Sequence, residues 1–175
     1  GLPISCFLNY VDDSREGITD HFTENAFLSS FGGGIGGHWS DVRSVGSKTS
    51  KGSESTGVIP FVKVVDAEML AFSQGITRRG SYAGYLHISH TEIQDILDVR
   101  KPKGGDTNRK CLNLHHGVVI SDSFMELIHN AGKIDNFDDR WNLIDPHSQE
   151  VVRTVSARAL WVKILLNRME TGEPY

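Results

Sequence analysis

The feature that most constrains this chain is a strand-like segment followed by a helix-like one, recurring about four times. Residues 4–11 alternate loosely through Phe7, Leu8, Tyr10 and Val11, and Asp12-Asp13-Ser14 then supplies a turn and N-cap cluster. A helix is predicted over 15–30, with Ile18, Phe22, Ala26 and Leu28 near helical spacing. Gly32-Gly33-Gly34 breaks it, and 34–39 suits a strand. The next helix is expected over 57–73, where Phe61, Val65 and Met69 fall at i, i+4 and i+8. Strand 83–88, helix 91–100, strand 112–120 and a helix from a cap at Asp122 to Asn130 follow. Residues 132–150 are polar and turn-rich, with a short hairpin near Asp145-Pro146. A last helix spans about 155–170, with Leu160, Trp161, Ile164, Leu165 and Met169 on one face. Alternation of this kind implies an α/β fold of about five parallel strands with crossover helices.

The length of 175 residues suits one domain. A net charge of -4 gives no basic field for nucleic acid. No run reaches the roughly 18 apolar residues of a membrane helix, and Gly1-Leu2-Pro3-Ile4 has no basic signal-peptide region. Two cysteines, Cys6 and Cys111, are too few for a disulfide scaffold, so a reducing, cytoplasmic setting is expected. Both termini read as cuts inside a larger domain: the chain opens beside an apolar segment and closes just after a strong helix.

Several motifs have a functional and an ordinary reading. Gly32, Gly34 and Gly37 match G-x-G-x-x-G, but that dinucleotide fingerprint needs a strand before it and a helix after it. Here the order is reversed, which leaves a tight turn or, as the favoured reading, bare backbone that a ligand approaches closely. His87, His90 and Glu92, or Cys111, His115 and His116, could suggest a metal site. Adjacent residues on a strand point to opposite faces, however, so His115 and His116 cannot share one ion, and no metal is expected. In SVGSKTSKGSEST, residues 44–56, seven of thirteen residues are Ser or Thr, a length and polarity that suggest a functional loop. With Arg43, Lys48 and Lys51 around it, this loop suits either phosphate binding or simple solvation. Arg78-Arg79, between glycines, suits a solvated turn or recognition of an anion or base. Cys6, alone on a strand, is by pattern a small core residue.

Four stretches change that balance: Pro3-Ile4-Ser5-Cys6, Gly33 to Phe61 (GGIGGHWSDVRSVGSKTSKGSESTGVIPF), Phe72 to Tyr85 (FSQGITRRGSYAGY) and Gly105 to Val118 (GDTNRKCLNLHHGV). In this order and spacing the chain resembles the barrel domain of the ribonucleotide reductase large subunit along essentially its whole length. The resemblance implies that residues 1–175 form the first half of a ten-stranded α/β barrel, a partial catalytic domain.

The resemblance also implies roles. Cys6 matches the reducing cysteine at the substrate ribose, which protonates the departing 2′-hydroxyl and ends in a disulfide with a cysteine of the other barrel half. Cys111 does not match that partner and is assigned to packing. Ser5, Gly33 and Gly34 match the substrate cradle. Asp13, Ser14 and Arg43 match contacts to a dNTP or ATP effector, with Lys51 in place of an arginine. Residues 44–56 match the first specificity loop and 74–80 the second, with Gln74 among the substrate-binding residues and Arg78 over the substrate base. The family's radical-bearing cysteine has no counterpart among these residues, so the segment alone is not expected to turn over. The resemblance further implies a ribonucleoside di- or triphosphate substrate, a homodimer, thioredoxin or glutaredoxin as reductant, and no cofactor bound directly by this segment. The radical would come from a metal-containing small partner subunit, with adenosylcobalamin as the other source. Two further readings are a non-catalytic nucleotide-binding or assembly fragment completed by another chain, and a Rossmann-type dehydrogenase resting on the glycine run.

Overall fold

A computed structural model describes residues 3–72 and 80–175. Four strands, β1 (Cys6–Tyr10), β2 (Gly34–His38), β3 (Ser81–His87) and β4 (His115–Val119), form one sheet in the order β1-β2-β3-β4, every pair parallel. Helix α1 (Arg15–Ser30) connects β1 to β2, and α2 (Ile59–Ala71) follows β2. Beyond β4 come α4 (Asp122–Ala131), a hairpin of β5 (Arg140–Ile144) and β6 (Val151–Ser156), and α5 (Ala157–Thr171). Of the about five parallel strands expected, the described residues hold four; the hairpin is a separate antiparallel pair.

Alternation divides the sheet. One face turns Ile35, Tyr82, Leu86 and His116 into a core shared with Val62, Val65 and Met69 of α2, all essentially buried. Each fully buried aliphatic side chain there contributes roughly 1.5–3 kcal/mol. The other face carries Cys6, Leu8 and Tyr10 of β1, and Leu8 is 88% exposed.

Helix α1 has the expected bounds, and Ser14 caps it, its hydroxyl accepting from the Gly17 amide at 2.9 Å. Its buried stripe is Ile18, His21, Asn25 and Ser29, more polar than the apolar set suggested. Helix α2 is shorter at both ends than the expected 57–73.

The expected helix 91–100 is α-helical only at α3 (Ile93–Ile96). Beyond it the chain closes by tighter i→i+3 bonds, Asp98 N to Asp95 O and Lys101 N to Asp98 O, ahead of Pro102. Strand β4 begins at His115 rather than 112 because the buried Asp66 carboxylate takes the Asn113 and Leu114 amides, at 2.8 and 2.9 Å. Ser121, not Asp122, caps α4; its hydroxyl accepts from the Phe124 amide at 3.3 Å.

On α5 the buried stripe is Ala157, Leu160, Ile164 and Asn167, at 3–4 spacing. Leu165 and Met169 lie off that stripe, and Met169 is 85% exposed. The burial of Asn167 has a local reason, since its amide donates to the Leu97 carbonyl at 2.6 Å.

Candidate functional site

The side chains singled out in the sequence gather at opposite ends of the sheet. At the carboxyl ends of β1 and β2 lie two adjacent connections, Val11–Ser14 and Trp39–Val58. In open parallel sheets this edge is where ligands bind. The second connection is not a featureless loop. It folds into a narrow antiparallel flap, with Gly46 N bonded to Ser55 O at 2.9 Å, Ser55 N to Ser47 O at 2.8 Å and Thr49 N to Ser53 O at 2.8 Å. Lys48 pairs with Glu54 across it at 3.2 Å.

Between the flap and α1 is a pocket of about 550 Å³, a size that suits a small organic ligand. Asp13, Ser14, Arg43 and Lys51 all line it. The floor is Ile18, Phe22, Val42 and Phe61, and Thr49, Ser53 and Ser55 line it from the flap. The first turn of α1 borders the pocket with its helix-terminal amides, and the lining sets Arg15, Arg43 and Lys51 against Asp13, Glu16 and Glu54.

Arg43 is held in place. Its Nε lies 3.0 and 2.9 Å from the two Asp13 carboxylate oxygens, its backbone amide donates to the same carboxylate at 3.1 Å, and its Nη1 donates to the Lys48 carbonyl at 2.9 Å. A guanidinium fixed on two sides is an oriented anion donor. An Asp13 carboxylate shared with Arg43 remains an acceptor for a hydroxyl. The arrangement can therefore hold a ligand with an anionic end, a hydroxyl-bearing middle and an apolar or flat end.

At the amino ends of β1 and β2 a second group assembles. Cys6 is exposed, with its Sγ 3.8 Å from Ser5 Oγ. Cys6 pairs with Gly34 across the ladder, and the Gly34 amide donates to the Ser5 carbonyl at 2.7 Å. The two glycines have different causes. A Cβ on Gly33 would meet the Leu28 carbonyl and the Phe7 ring at 3.0 Å, so packing demands glycine there. A Cβ on Gly34 would meet nothing nearer than 3.7 Å, so packing leaves this position free and the backbone beside Cys6 open to a ligand. Cys111 is fully buried, and burial pushes its thiol up to about 12. Gln74 and Arg78 lie outside the described residues.

The two edges are about 15–20 Å apart along β1 at about 3.3 Å per residue. Among the described residues no three His, Cys, Asp or Glu side chains gather as metal ligands would. His115 is half-buried and stacks on Tyr175 while His116 is fully buried, yet both rings approach the one Glu173 carboxylate, His115 Nδ1 by bonding Oε1 and His116 Nδ1 at 3.7 Å from Oε2.

Three residues that the sequence does not assign to the pocket matter beside it; in the sequence Glu92 suggests only a metal ligand and Asp145 only a turn residue. Glu92 and Asp145 are buried carboxylates that bond the stems of the flap, and His147 reaches Asp13 at 3.4 Å. The one signal in the sequence was an acid beside an apolar segment, as in Thr91-Glu92-Ile93. That pattern does not separate a buried carboxylate from a surface one.

A parallel sheet with helical crossovers, an exposed thiol at one edge and a polar pocket at the other define the class: an α/β domain. The chain belongs to the ribonucleotide reductase barrel-domain family, whose description, "Ribonucleotide reductase, barrel domain", matches residues 4–175. It is 51% identical over its full length to a protein of Frog virus 3 (isolate Goorha) named for a ribonucleoside-diphosphate reductase large subunit, and covers 28% of that protein. It is 49% identical to the ribonucleoside-diphosphate reductase large subunit of Invertebrate iridescent virus 6, covering 17% of it. Among solved structures it resembles the Actinobacillus ureae class Id ribonucleotide reductase alpha subunit with a TM-score of 0.73 and 30% identity, over all of this chain and 27% of that one. The chain thus spans less than a third of the length of these relatives.

Proposed function

We propose that this chain is a segment of the large, catalytic subunit of a ribonucleoside-diphosphate reductase, which reduces ribonucleotides at the ribose 2′-carbon for deoxyribonucleotide synthesis. The pocket at the carboxyl edge takes the nucleotide effector that sets substrate choice. Arg43 and Lys51 meet its phosphates, and Asp13 and Ser14 its sugar. At the amino edge, Ser5 and the backbone of Gly33 and Gly34 cradle the substrate, with Gln74 and Arg78 at its base. Cys6 donates a proton to the departing 2′-hydroxyl and supplies reducing equivalents, forming a disulfide with a cysteine outside this chain. That disulfide is returned to thiols by thioredoxin or glutaredoxin. The chemistry is started by a radical supplied from a metal-containing partner subunit in a cytoplasmic enzyme that works as a homodimer.

The observation that carries this reading is the convergence of Asp13, Ser14, Arg43 and Lys51, spread over 39 positions of sequence, on one pocket. It is tested by equilibrium binding of a fluorescent dATP analogue to the chain. Saturable binding is expected, weakened at least about tenfold by Arg43→Ala through loss of a charge-assisted contact. Equal binding by both proteins would remove the effector assignment. In the complete reductase carrying this segment, Cys6→Ser is expected to abolish deoxynucleotide formation with thioredoxin while leaving effector binding intact.

A second reading has its own observation. The face bearing Leu8 and Tyr10 is open, at 88% and 60% exposure, as in a nucleotide-binding fragment that completes itself with another chain. Effector binding by the chain with undiminished turnover in the Cys6→Ser reductase would favour it.

A further inference from the structure

Two buried carboxylates from distant parts of the chain grip the flap that walls the effector pocket. Glu92 Oε2 accepts from the Val58 amide at 2.9 Å and the Val45 amide at 3.3 Å, one at each stem. The turn at Gly57 is built around it: the residue has φ +82°, and a Cβ there would meet Glu92 Oε2 at 2.4 Å. Asp145, in the turn between β5 and β6, accepts from the Ser44 amide at 2.8 Å and the Ser47 hydroxyl at 2.7 Å through Oδ1, and from the Ser148 amide at 2.9 Å through Oδ2. It is 3% exposed. Burial works against its charge, but the donors from Ser44, Ser148 and Ser47 outweigh it and hold the carboxyl well below the usual carboxylate range.

The same turn touches the pocket a second time. His147 Nδ1 lies 3.4 Å from Asp13 Oδ2, the carboxylate that orients Arg43. The hairpin is itself anchored on the sheet side, where the Ile144 amide donates to the Ser89 carbonyl at 2.7 Å and Ile144 bridges His90. His90 in turn reaches back to the Val42 carbonyl at 2.9 Å. A rigid path thus runs from the sheet through residues 144–147 to both the flap stem and Asp13.

We propose that Asp145 is a positioning residue for effector recognition, and that the β5–β6 turn is a structural part of the nucleotide site although it contributes no lining residue to the pocket. The idea rests on the reading of that pocket as a nucleotide site. Ser44 and Ser47 bracket the start of the flap, directly after Arg43. Releasing them frees Arg43 and the flap hydroxyls from one fixed geometry, so a nucleotide must order them on binding.

The test separates the clamp from the pocket assignment. Amide hydrogen exchange is followed in the ligand-free chain for wild type, Asp145→Ala and Asp145→Asn. The clamp requires Asp145→Ala to exchange about tenfold faster or more over 44–47, in line with loss of bonds to a charged acceptor. An asparagine oxygen still accepts from Ser44 and Ser47 but presents an amide donor to Ser148. Asp145→Asn should therefore keep protection at 44–47 and lose it at Ser148. Binding of the fluorescent dATP analogue is then measured at saturating folded protein. Asp145→Ala is expected to weaken it about tenfold and Asp145→Asn to recover most of it. Unchanged exchange at 44–47 in Asp145→Ala overturns the clamp. A changed exchange with unchanged affinity overturns its role in recognition. Failure of the wild type to bind the nucleotide removes the pocket assignment and with it the recognition role, while the exchange data still decide the clamp.

Discussion

Tyr82 has one hydroxyl proton and two buried neighbours. Trp39 Nε1 donates to its oxygen at 2.8 Å, and His21 Nε2 lies 2.8 Å away on the other side. The Trp39 and Tyr82 donors are both used if the Tyr82 hydroxyl donates to Nε2 of a neutral His21, whose own proton then sits on a buried Nδ1 that has no partner among the described residues. Gly37 makes room for this network, since a Cβ there would stand 1.7 Å from the Tyr82 oxygen. Gly37→Ala is accordingly expected to destabilise by about 1–3 kcal/mol or more through overpacking, seen as a lower urea midpoint. Burial lowers His21 to about 4, and His116 likewise. Both histidines bind a proton in the unfolded chain near 6.5 but not in the folded one. Stability they support above pH 6.5 is therefore lost as pH falls toward about 4. Glu68 works in the opposite sense: burial raises it to about 7, so the folded state binds its proton first and gains stability as pH falls from 7 toward 4.5. Glu68→Gln is expected to raise the urea midpoint at pH 8 and to make its decline between pH 7 and 5 steeper than in the wild type. Parallel pH profiles for the two proteins would refute the assignment.

At the scale of elements, the capping of α5 shows a dependence that reaches outside the helix. Ser156 accepts from the Ala159 amide at 3.0 Å and donates to Asp139 Oδ2 at 2.6 Å, and the same carboxylate oxygen takes the Arg158 amide at 3.0 Å. Ser156→Ala is expected to cost about 1 kcal/mol, read as a lower urea midpoint, with the loss concentrated in hydrogen exchange of the first turn of α5. The elements themselves were largely legible in the sequence. Alternation marked β1 to β4, and Asp12-Asp13-Ser14 marked the start of α1. What escaped were elements whose bonds are made by distant side chains. Asp66 diverts the amides of Asn113 and Leu114 and delays β4, and His90 and Glu92 turn a helix-like pattern into a bracket for the flap. The polar stripe of α1 was hidden for the same reason, because Asn25 and His21 are buried against Asn9 and Tyr82, partners 16 and 61 positions away. At the site, the residues of the pocket were named from motif resemblance, since spacing alone could not distinguish a phosphate loop from a solvated one. Glu92 was marked in the sequence only as a candidate metal ligand and Asp145 only as a turn residue, and their hold on the flap became visible only through their bonds.

Across the whole molecule, the sheet separates thiol from pocket and α2 joins the two edges. Its 13 residues span about 20 Å at 1.5 Å per residue. At its start the Val58 amide is held by Glu92 below the flap, and beyond its end Gly80 leads into Ser81, which pairs with Gly34 beside Cys6. Two sites 15–20 Å apart with no shared side chain should respond to local substitution independently. The two thiols provide the readout. In the folded chain Cys6 is exposed while Cys111 is fully buried with its thiol pushed up to about 12, so a neutral thiol reagent at pH 8 should modify one cysteine quickly and the second only on unfolding. Cys6→Ser should abolish the fast phase and leave affinity for the fluorescent dATP analogue within about twofold, the scatter of additive distant sites. Arg43→Ala should do the reverse, weakening the nucleotide and leaving the rate of Cys6 modification in the free chain unchanged. If Arg43→Ala altered that rate without ligand, the edges would be coupled through the sheet itself. If only bound nucleotide altered it, the coupling would depend on contacts that the ligand itself makes and not on the sheet alone.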